Sequence, residues 1–366
     1  MKTSPLLFSL GRPFSPLYSL AMRLREAGYR RGFFRSYHFP VPVISIGNLT
    51  MGGTGKTPMV HYLARLLQQN NFTPAIISRG YGGTSQHPVN IVSDGRSLLL
   101  DARAAGDEPR LLAESLPGVP VLTGVVRRLP AQRAVDLGAD VLLLDDGFQH
   151  LPIRRDINLV LFNADRLAGN SRVFPGGDLR EPVAALHRAT GFVLTGVHEL
   201  NRDRAQRFRD LLKTKFPAIP TFLTGYAVDT LVRLLPAGET VPVDIEEVAD
   251  RKGYGFCGIA HPESFQETVR QFGADLTGFS SFADHQRYSE TLVERLFSTA
   301  ERTGADFLLT TEKDLVKFAG HAHKLSAPLY GLRMQVLADE EFTEAVLRVL
   351  RSWRPFSRAN GQACVA

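Results

Sequence analysis

A short apolar run, Val41-Pro42-Val43-Ile44-Ser45-Ile46, leads into Thr50-Met51-Gly52-Gly53-Thr54-Gly55-Lys56-Thr57-Pro58. A strand that enters a glycine-rich turn ending in Lys-Thr, with a helix opening behind it, constrains the fold more than any other feature of the chain. This is the arrangement that holds a nucleotide triphosphate such as ATP or GTP. Backbone N–H groups of the turn and of the helix N-terminus face the phosphates, Lys56 reaches the β and γ oxygens, and Thr57 offers its hydroxyl to Mg²⁺. The usual first glycine of the pattern is replaced by Thr50, so the match is to a relaxed form. A Gly-Gly pair also serves as a plain tight connection between strand and helix.

The surrounding pattern supports the same fold class. From residue 41 onward, apolar strand-like runs alternate with helical periods, which predicts an α/β protein with a largely parallel sheet. Expected strands lie at 43–46, 74–78, 119–122, 140–144 and 158–162, with helices at 58–69 and 127–137. A second, smaller α/β set is expected from Phe192 onward, with strands at 192–195, 221–224, 254–259, 306–310 and 329–332 and helices at 262–272, 289–302 and 339–353. The chain therefore divides into an N-terminal arm (1–40), a phosphate-loop α/β domain (41–188), a second α/β domain (189–355) and a flexible tail (356–366). The 366 residues, 44% of them hydrophobic, are enough for two cores. A cleft between the two halves is the expected ligand pocket.

Charge is concentrated in one place. Residues 1–40 carry seven Lys or Arg (Lys2, Arg12, Arg23, Arg25, Arg30, Arg31, Arg35) against a single acid, Glu26, and the rest of the chain is balanced. Ser15-Pro16 can open a helix there, with Leu17, Leu20, Ala21, Leu24 and Ala27 on one face. Tyr29, Phe33, Phe34 and Tyr37 follow among the arginines. Such a segment can lie in an anionic membrane interface, or dock on the protein's own core with a solvated basic side, or bind nucleic acid. The prolines at 5, 13 and 16, with Arg12 among them, suit neither a spanning helix nor a cleaved signal, and no apolar run is long enough to cross a bilayer. Two distant cysteines, Cys257 and Cys364, imply neither a disulfide framework nor a metal cluster and fit a reducing cytoplasm.

Four further segments carry candidate chemistry. Leu142-Leu143-Leu144-Asp145-Asp146 is an apolar strand ending in two carboxylates, and such a pair beside a phosphate loop can hold Mg²⁺ directly or through its water. Alone it would be a turn signal. Gly106-Asp107-Glu108-Pro109 precedes a helix expected at 110–115, where Asp107 is either the N-cap or the carboxylate that accepts a hydroxyl proton in phosphoryl transfer. His285 stands in the loop Phe282-Ala283-Asp284-His285 as either a structural or a catalytic imidazole. Thr310-Thr311-Glu312-Lys313-Asp314 ends a buried run, either as a solvated turn or as part of a site.

Taken together, these motifs with Ser78-Arg79-Gly80-Tyr81-Gly82, Asp145-Asp146-Gly147-Phe148-Gln149-His150 and Leu179-Arg180-Glu181-Pro182 resemble the tetraacyldisaccharide 4'-kinases of lipid A biosynthesis. Their order covers residues from about 15 to about 350. The resemblance implies transfer of the ATP γ-phosphate to the 4'-hydroxyl of a tetraacylated glucosamine disaccharide 1-phosphate, yielding lipid IVA, at the cytoplasmic face of a bacterial inner membrane. It implies Lys56 and Thr57 as phosphate and Mg²⁺ ligands, and Asp145 with Asp146 as the second metal element. It makes Asp107 the proton acceptor, supported by His285 from the other domain. Gln286 stands where a second histidine is common, so His285 is the one imidazole there. Gln149, His150, Arg180 and Glu181 are implied to line the metal and headgroup site, Gln149 and Glu181 toward the metal and His150 and Arg180 toward the substrate.

The resemblance favours the membrane reading of the arm, because a lipid with four acyl chains does not leave the bilayer readily. No nucleic acid and no obligate protein partner are expected, and a domain closure that brings His285 to Asp107 follows from their separate origins. The competing reading is an ATP-driven, membrane-associated partitioning switch, whose loop also runs Gly-Gly-Thr-Gly-Lys-Thr. Those proteins usually carry a lysine near the loop's start, where Thr50 and Met51 stand here.

Overall fold

The computed structural model describes residues 5–259, 262–284 and 286–355. His285, Cys364 and the expected tail therefore lie outside the described residues. The chain opens with helices α1 (Pro5–Gly11) and α2 (Ser15–Arg30). It then builds β1 (Val43–Asn48), α3 (Lys56–Gln69), β2 (Pro74–Ser78), β3 (Asn90–Asp94), α4 (Ala102–Ala105), α5 (Asp107–Ser115) and β4 (Pro120–Thr123). After these come α6 (Arg128–Asp136), β5 (Val141–Asp145), β6 (Ile157–Asn163), β7 (Gly191–Thr195), α7 (Arg202–Lys215) and β8 (Thr221–Leu223).

These eight strands form one sheet in the order β3-β4-β2-β5-β1-β6-β7-β8, parallel except for β3 at its edge. Strands β1 and β5 are buried at every position, as strands covered by helices on both faces must be. Their register pairs Ile46 with Asp145, so the exits of both strands lie side by side. The strand order reverses around β1, which is where an open α/β sheet leaves a crevice beyond its strand ends.

The second half contains β9 (Gly225–Leu234), β10 (Thr240–Val243), β11 (Lys252–Cys257), α8 (Pro262–Phe272), β12 (Asp275–Ser281), α9 (Glu290–Arg302), β13 (Phe307–Thr311), the single turn α10 (Glu312–Leu315), β14 (Leu329–Leu337) and α11 (Glu340–Ser352). Its six-stranded sheet has the order β10-β9-β14-β13-β11-β12, with β9 antiparallel to both neighbours and the rest parallel.

The expected division at residue 188 is corrected. Strands β7 and β8, assigned above to the second half, continue the first sheet, because β7 pairs with β6 and its Phe192 packs edge-on against Phe162. The chain changes sheets between Leu223 and Gly225. Helix α11 then returns to the first half, where Phe342, Val346, Leu347 and Leu350 are buried in the same cluster as Met59, Leu63 and Leu67 of α3. Tyr62 and Thr343 join the two helices by a 2.8 Å hydroxyl pair. The second half is thus spliced into the first at both ends.

Candidate active site

The phosphate loop is held by its backbone. Thr50 bridges to Leu179, Met51 N–H donates to the Asp178 carbonyl at 2.7 Å, and Arg180 N–H donates to the Leu49 carbonyl at 2.8 Å. The Thr195 hydroxyl donates to the Thr54 carbonyl at 2.9 Å. Gly55 has φ +76°, and a Cβ there would stand 1.8 Å from the Tyr226 hydroxyl, so only glycine fits between loop and β9. Helix α3 begins at Lys56, one turn end aimed at the loop. The Lys56 ammonium rests on Asn48 Oδ1 at 3.3 Å and 3.7 Å from Asp146.

Asp145 and Asp146 differ in environment although adjacent. Asp145 is buried; its Oδ2 accepts from the Ser78 hydroxyl at 3.1 Å, and its Oδ1 has no hydrogen-bond partner. Burial, then the charges of Glu108 and Asp146, raise its carboxyl above the ordinary range, against Lys56 and Arg127. Asp146, with φ +48°, turns the other way. Burial would raise it, but Lys56 and Arg180 outweigh that and hold it low. Arg180 Nη1 donates to both of its oxygens, at 2.8 and 3.1 Å. Of the residues expected at the metal and headgroup site, Arg180 thus meets Asp146, and Gln149 Nε2 lies 3.3 Å from Glu181 Oε1. Glu181 and Asp146 are both committed to guanidinium groups, which leaves Asp145 Oδ1 as the open buried acceptor of the set. An anionic oxygen without a donor fits a cation better than any other group. Among the described residues, no three His, Cys, Asp or Glu side chains converge to form a complete metal cage. His150 is half-buried beside Arg127 and Arg155; loss of solvent first and those charges next lower it to about 3, so it is a neutral imidazole.

Asp107 is not a helix cap. The N-cap is Gly106 at φ +96°, where a Cβ would meet the Tyr81 carbonyl at 2.5 Å, and α5 starts at Asp107 instead of at 110. The carboxylate stands in the first turn of the helix, a position the helix dipole favours. It lies 3.4 Å from Lys317 Nζ, which comes from the second half. Lys317 also pairs at 3.0 Å with Asp314, a fully buried carboxylate that accepts the Gly258 N–H and the Thr311 hydroxyl. Lys313 reaches Glu108 at 3.5 Å and Asp284 at 3.4 Å. The segment at 310–314 is thus an ionic bridge to the start of α5 and to the loop before His285, which excludes the solvated-turn reading. Lys317, Arg127 and Arg188 belong to none of the motifs above. Arg127 Nη1 donates to the Asp146 carbonyl at 2.9 Å, although only its buried place, invisible in the sequence, separates it from neighbouring arginines.

Helix α2 lies against the same loops by its polar side. The Tyr18 hydroxyl donates to the Arg180 carbonyl at 3.0 Å, Arg25 donates to the Gln149 carbonyl at 3.2 Å, and the Ser15 hydroxyl donates to the Val173 carbonyl at 2.8 Å. None of its residues is buried; Leu17 (68% exposed), Leu20, Ala21 and Leu24 face outward, Ala27 is half-buried, and Phe14 and Phe33 are exposed as well. The reading in which this apolar face packs on the protein's own core is overturned. Among the described residues no helix is long and apolar enough to cross a membrane.

The tetraacyldisaccharide-1-P 4'-kinase family model matches residues 7–351. The tetraacyldisaccharide 4'-kinase of Desulfotalea psychrophila is 45% identical over 357 residues, covering 96% of this chain and 99% of that one. The enzyme of the same name from Syntrophus aciditrophicus is 41% identical over 349 residues, 92% of each chain. Among solved structures, the LpxK protein of Aquifex aeolicus, in a crystal with ATP, superposes with a TM-score of 0.74 at 31% identity, covering 92% of this chain and 98% of that one.

Proposed function

We propose roles for the site residues of a chain that belongs to the tetraacyldisaccharide-1-P 4'-kinase family. Its reaction is the 4'-phosphorylation of a tetraacyldisaccharide 1-phosphate within lipid A biosynthesis, and family membership decides for a kinase over the partitioning switch. ATP is the donor. Lys56 leaves Asn48 to meet the β and γ oxygens, and the N–H groups of residues 50–57 cradle the phosphates. Asp145 and Thr57 would hold Mg²⁺, with Asp146, Gln149 and Glu181 around them; that ion supplies charge neutralisation on the phosphates. Asp107 takes the proton of the 4'-hydroxyl as its oxygen attacks the γ-phosphorus and ADP departs. In this reading His285 supports Asp107 as a base, while Arg180 and His150 serve the headgroup.

The observation that carries the reading is the two-sidedness of α2. Its polar side grips the loops of the site, and its apolar side, rimmed by Arg12, Arg23, Arg30 and Arg31, faces outward. That is how a site is presented to an acceptor embedded in an anionic bilayer at the cytoplasmic face. The test replaces Leu17, Leu20 and Leu24 by Gln in the full chain. Co-sedimentation with phosphatidylglycerol vesicles and transfer to vesicle-borne acceptor should fall together, with ATP affinity and the melting temperature retained. Unchanged sedimentation would contradict the placement.

A further inference from the structure

Arg188 lies outside every sequence motif, yet three parts of the site meet on it. Its guanidinium pairs with Glu26 Oε2 of α2 at 3.0 Å, pairs with Glu181, and stands 4.6 Å from the centre of the Phe148 ring. Glu181 in turn accepts from Gln149. The side chains of Arg188 and Glu181 are 11% and 4% exposed, so these charges are largely out of water and depend on their partners. Glu26, the one acid among the first 40 residues, also takes His187 Nε2 at 2.9 Å. Among the described residues, it joins this basic helix to His187 and Arg188 by ion pairs.

One guanidinium shared by two carboxylates leaves Glu181 with part of its charge unmatched. Without Glu26, Arg188 could turn both terminal nitrogens onto Glu181 in the bidentate geometry that guanidinium and carboxylate favour. Glu181 would then be neutralised and drawn from Gln149. Residues 179–181 are also paired to the phosphate loop, through Leu179 to Thr50 and Arg180 to Leu49, by main-chain contacts that a turn of the Glu181 side chain leaves intact.

We infer that Glu26 is a positioning residue for phosphoryl transfer: by holding Arg188, the N-terminal helix sets Glu181 and Gln149 in place, beyond any role in meeting a membrane. This rests on the placement of Gln149 and Glu181 in the site proposed above.

The experiment uses the full chain with ATP and the disaccharide lipid in phosphatidylglycerol vesicles. It compares wild type, Glu26→Gln, Glu26→Asp, Arg188→Met, the double variant Glu26→Gln/Arg188→Met and Glu181→Gln. Glu26→Gln should lower kcat by about tenfold or more with KM for ATP and vesicle sedimentation within about twofold. Glu26→Asp should recover most of the rate, and adding Glu26→Gln to Arg188→Met should cost nothing further, as coupled residues require. Near-normal kcat in Glu26→Gln alongside an impaired Glu181→Gln overturns the inference. So does a loss of rate that merely tracks lost sedimentation, which would make Glu26 an anchor only. Near-normal kcat in Glu181→Gln would instead remove the placement of Glu181 on which the inference stands.

Discussion

The two sides of the site are held by different kinds of bond. On the first sheet, the phosphate loop is fastened to residues 178–180 and 195 chiefly through main-chain atoms. From the turns that follow β13 in the second half, Lys313 and Lys317 reach Glu108 and Asp107 through long side chains at 3.4–3.5 Å. Main-chain bonds fix one geometry, whereas a lysine reaches its partner on a long stem with several rotatable bonds. The nucleotide side is therefore set by main-chain geometry, and the acceptor side is joined to the second half through charged side chains.

The sharpest break of this contrast is Asp145→Asn. It keeps the fold's shape but removes charge from the open acceptor on the nucleotide side, and kcat should fall by roughly 10³. A steady-state assay across Mg²⁺ concentrations checks it; turnover within tenfold of wild type would mean that Asp145 Oδ1 is filled by the protein alone. Lys317→Met acts on the acceptor side. It should cut kcat by about tenfold while leaving KM for ATP unchanged, because Lys317 touches Asp107 but no phosphate-loop residue. A rise in KM for ATP as large as the fall in kcat would erase the distinction between the two sides. Lys313→Ala should be milder, about threefold, and its effect should shrink as salt is raised, since its pairs are partly exposed.

The smallest expected effect concerns stability. His61 on α3 is lowered to about 4, first by burial and then by Arg333 and Arg65. The unfolded chain binds a proton there near pH 6.5, whereas the folded chain does so only near pH 4. Between these values the unfolded state holds more protons, so stability falls as pH drops from 6.5 toward 4. His61→Gln should flatten that slope in thermal melts. An unchanged slope would mean that other groups carry the acid sensitivity of the first half.

The same contrast explains what could be read in advance. Strands β1, β2, β4, β5 and β6 are short apolar runs buried on both faces, and the strand expected at 74–78 coincides with β2 residue for residue. Strands β9, β10 and β12 escaped notice because their residues are mostly half-exposed and mixed in polarity; β10 even contains Pro242, which only an edge strand tolerates. Helix α7, nearly all charged on its outer side, was missed for the same reason. The boundary at 188 failed because βα alternation does not announce which sheet a strand will join. At the site, Lys56, Asp145 and Asp146 were visible as motif residues. Arg188 and Lys317 were not, since Glu26 lies 162 residues from the first and Asp107 lies 210 from the second. No local spacing encodes such pairs.

The central claim is that Asp107, set in the first turn of α5 and paired with Lys317, accepts the proton of the lipid hydroxyl. The most direct measurement is transfer of the γ-phosphate to the disaccharide acceptor by Asp107→Ala, with ATP binding measured in parallel by calorimetry. The account predicts a fall in kcat of roughly 10² or more with ATP affinity within a few-fold of wild type. Near-normal turnover, or a loss of rate matched by a loss of ATP binding, would contradict it.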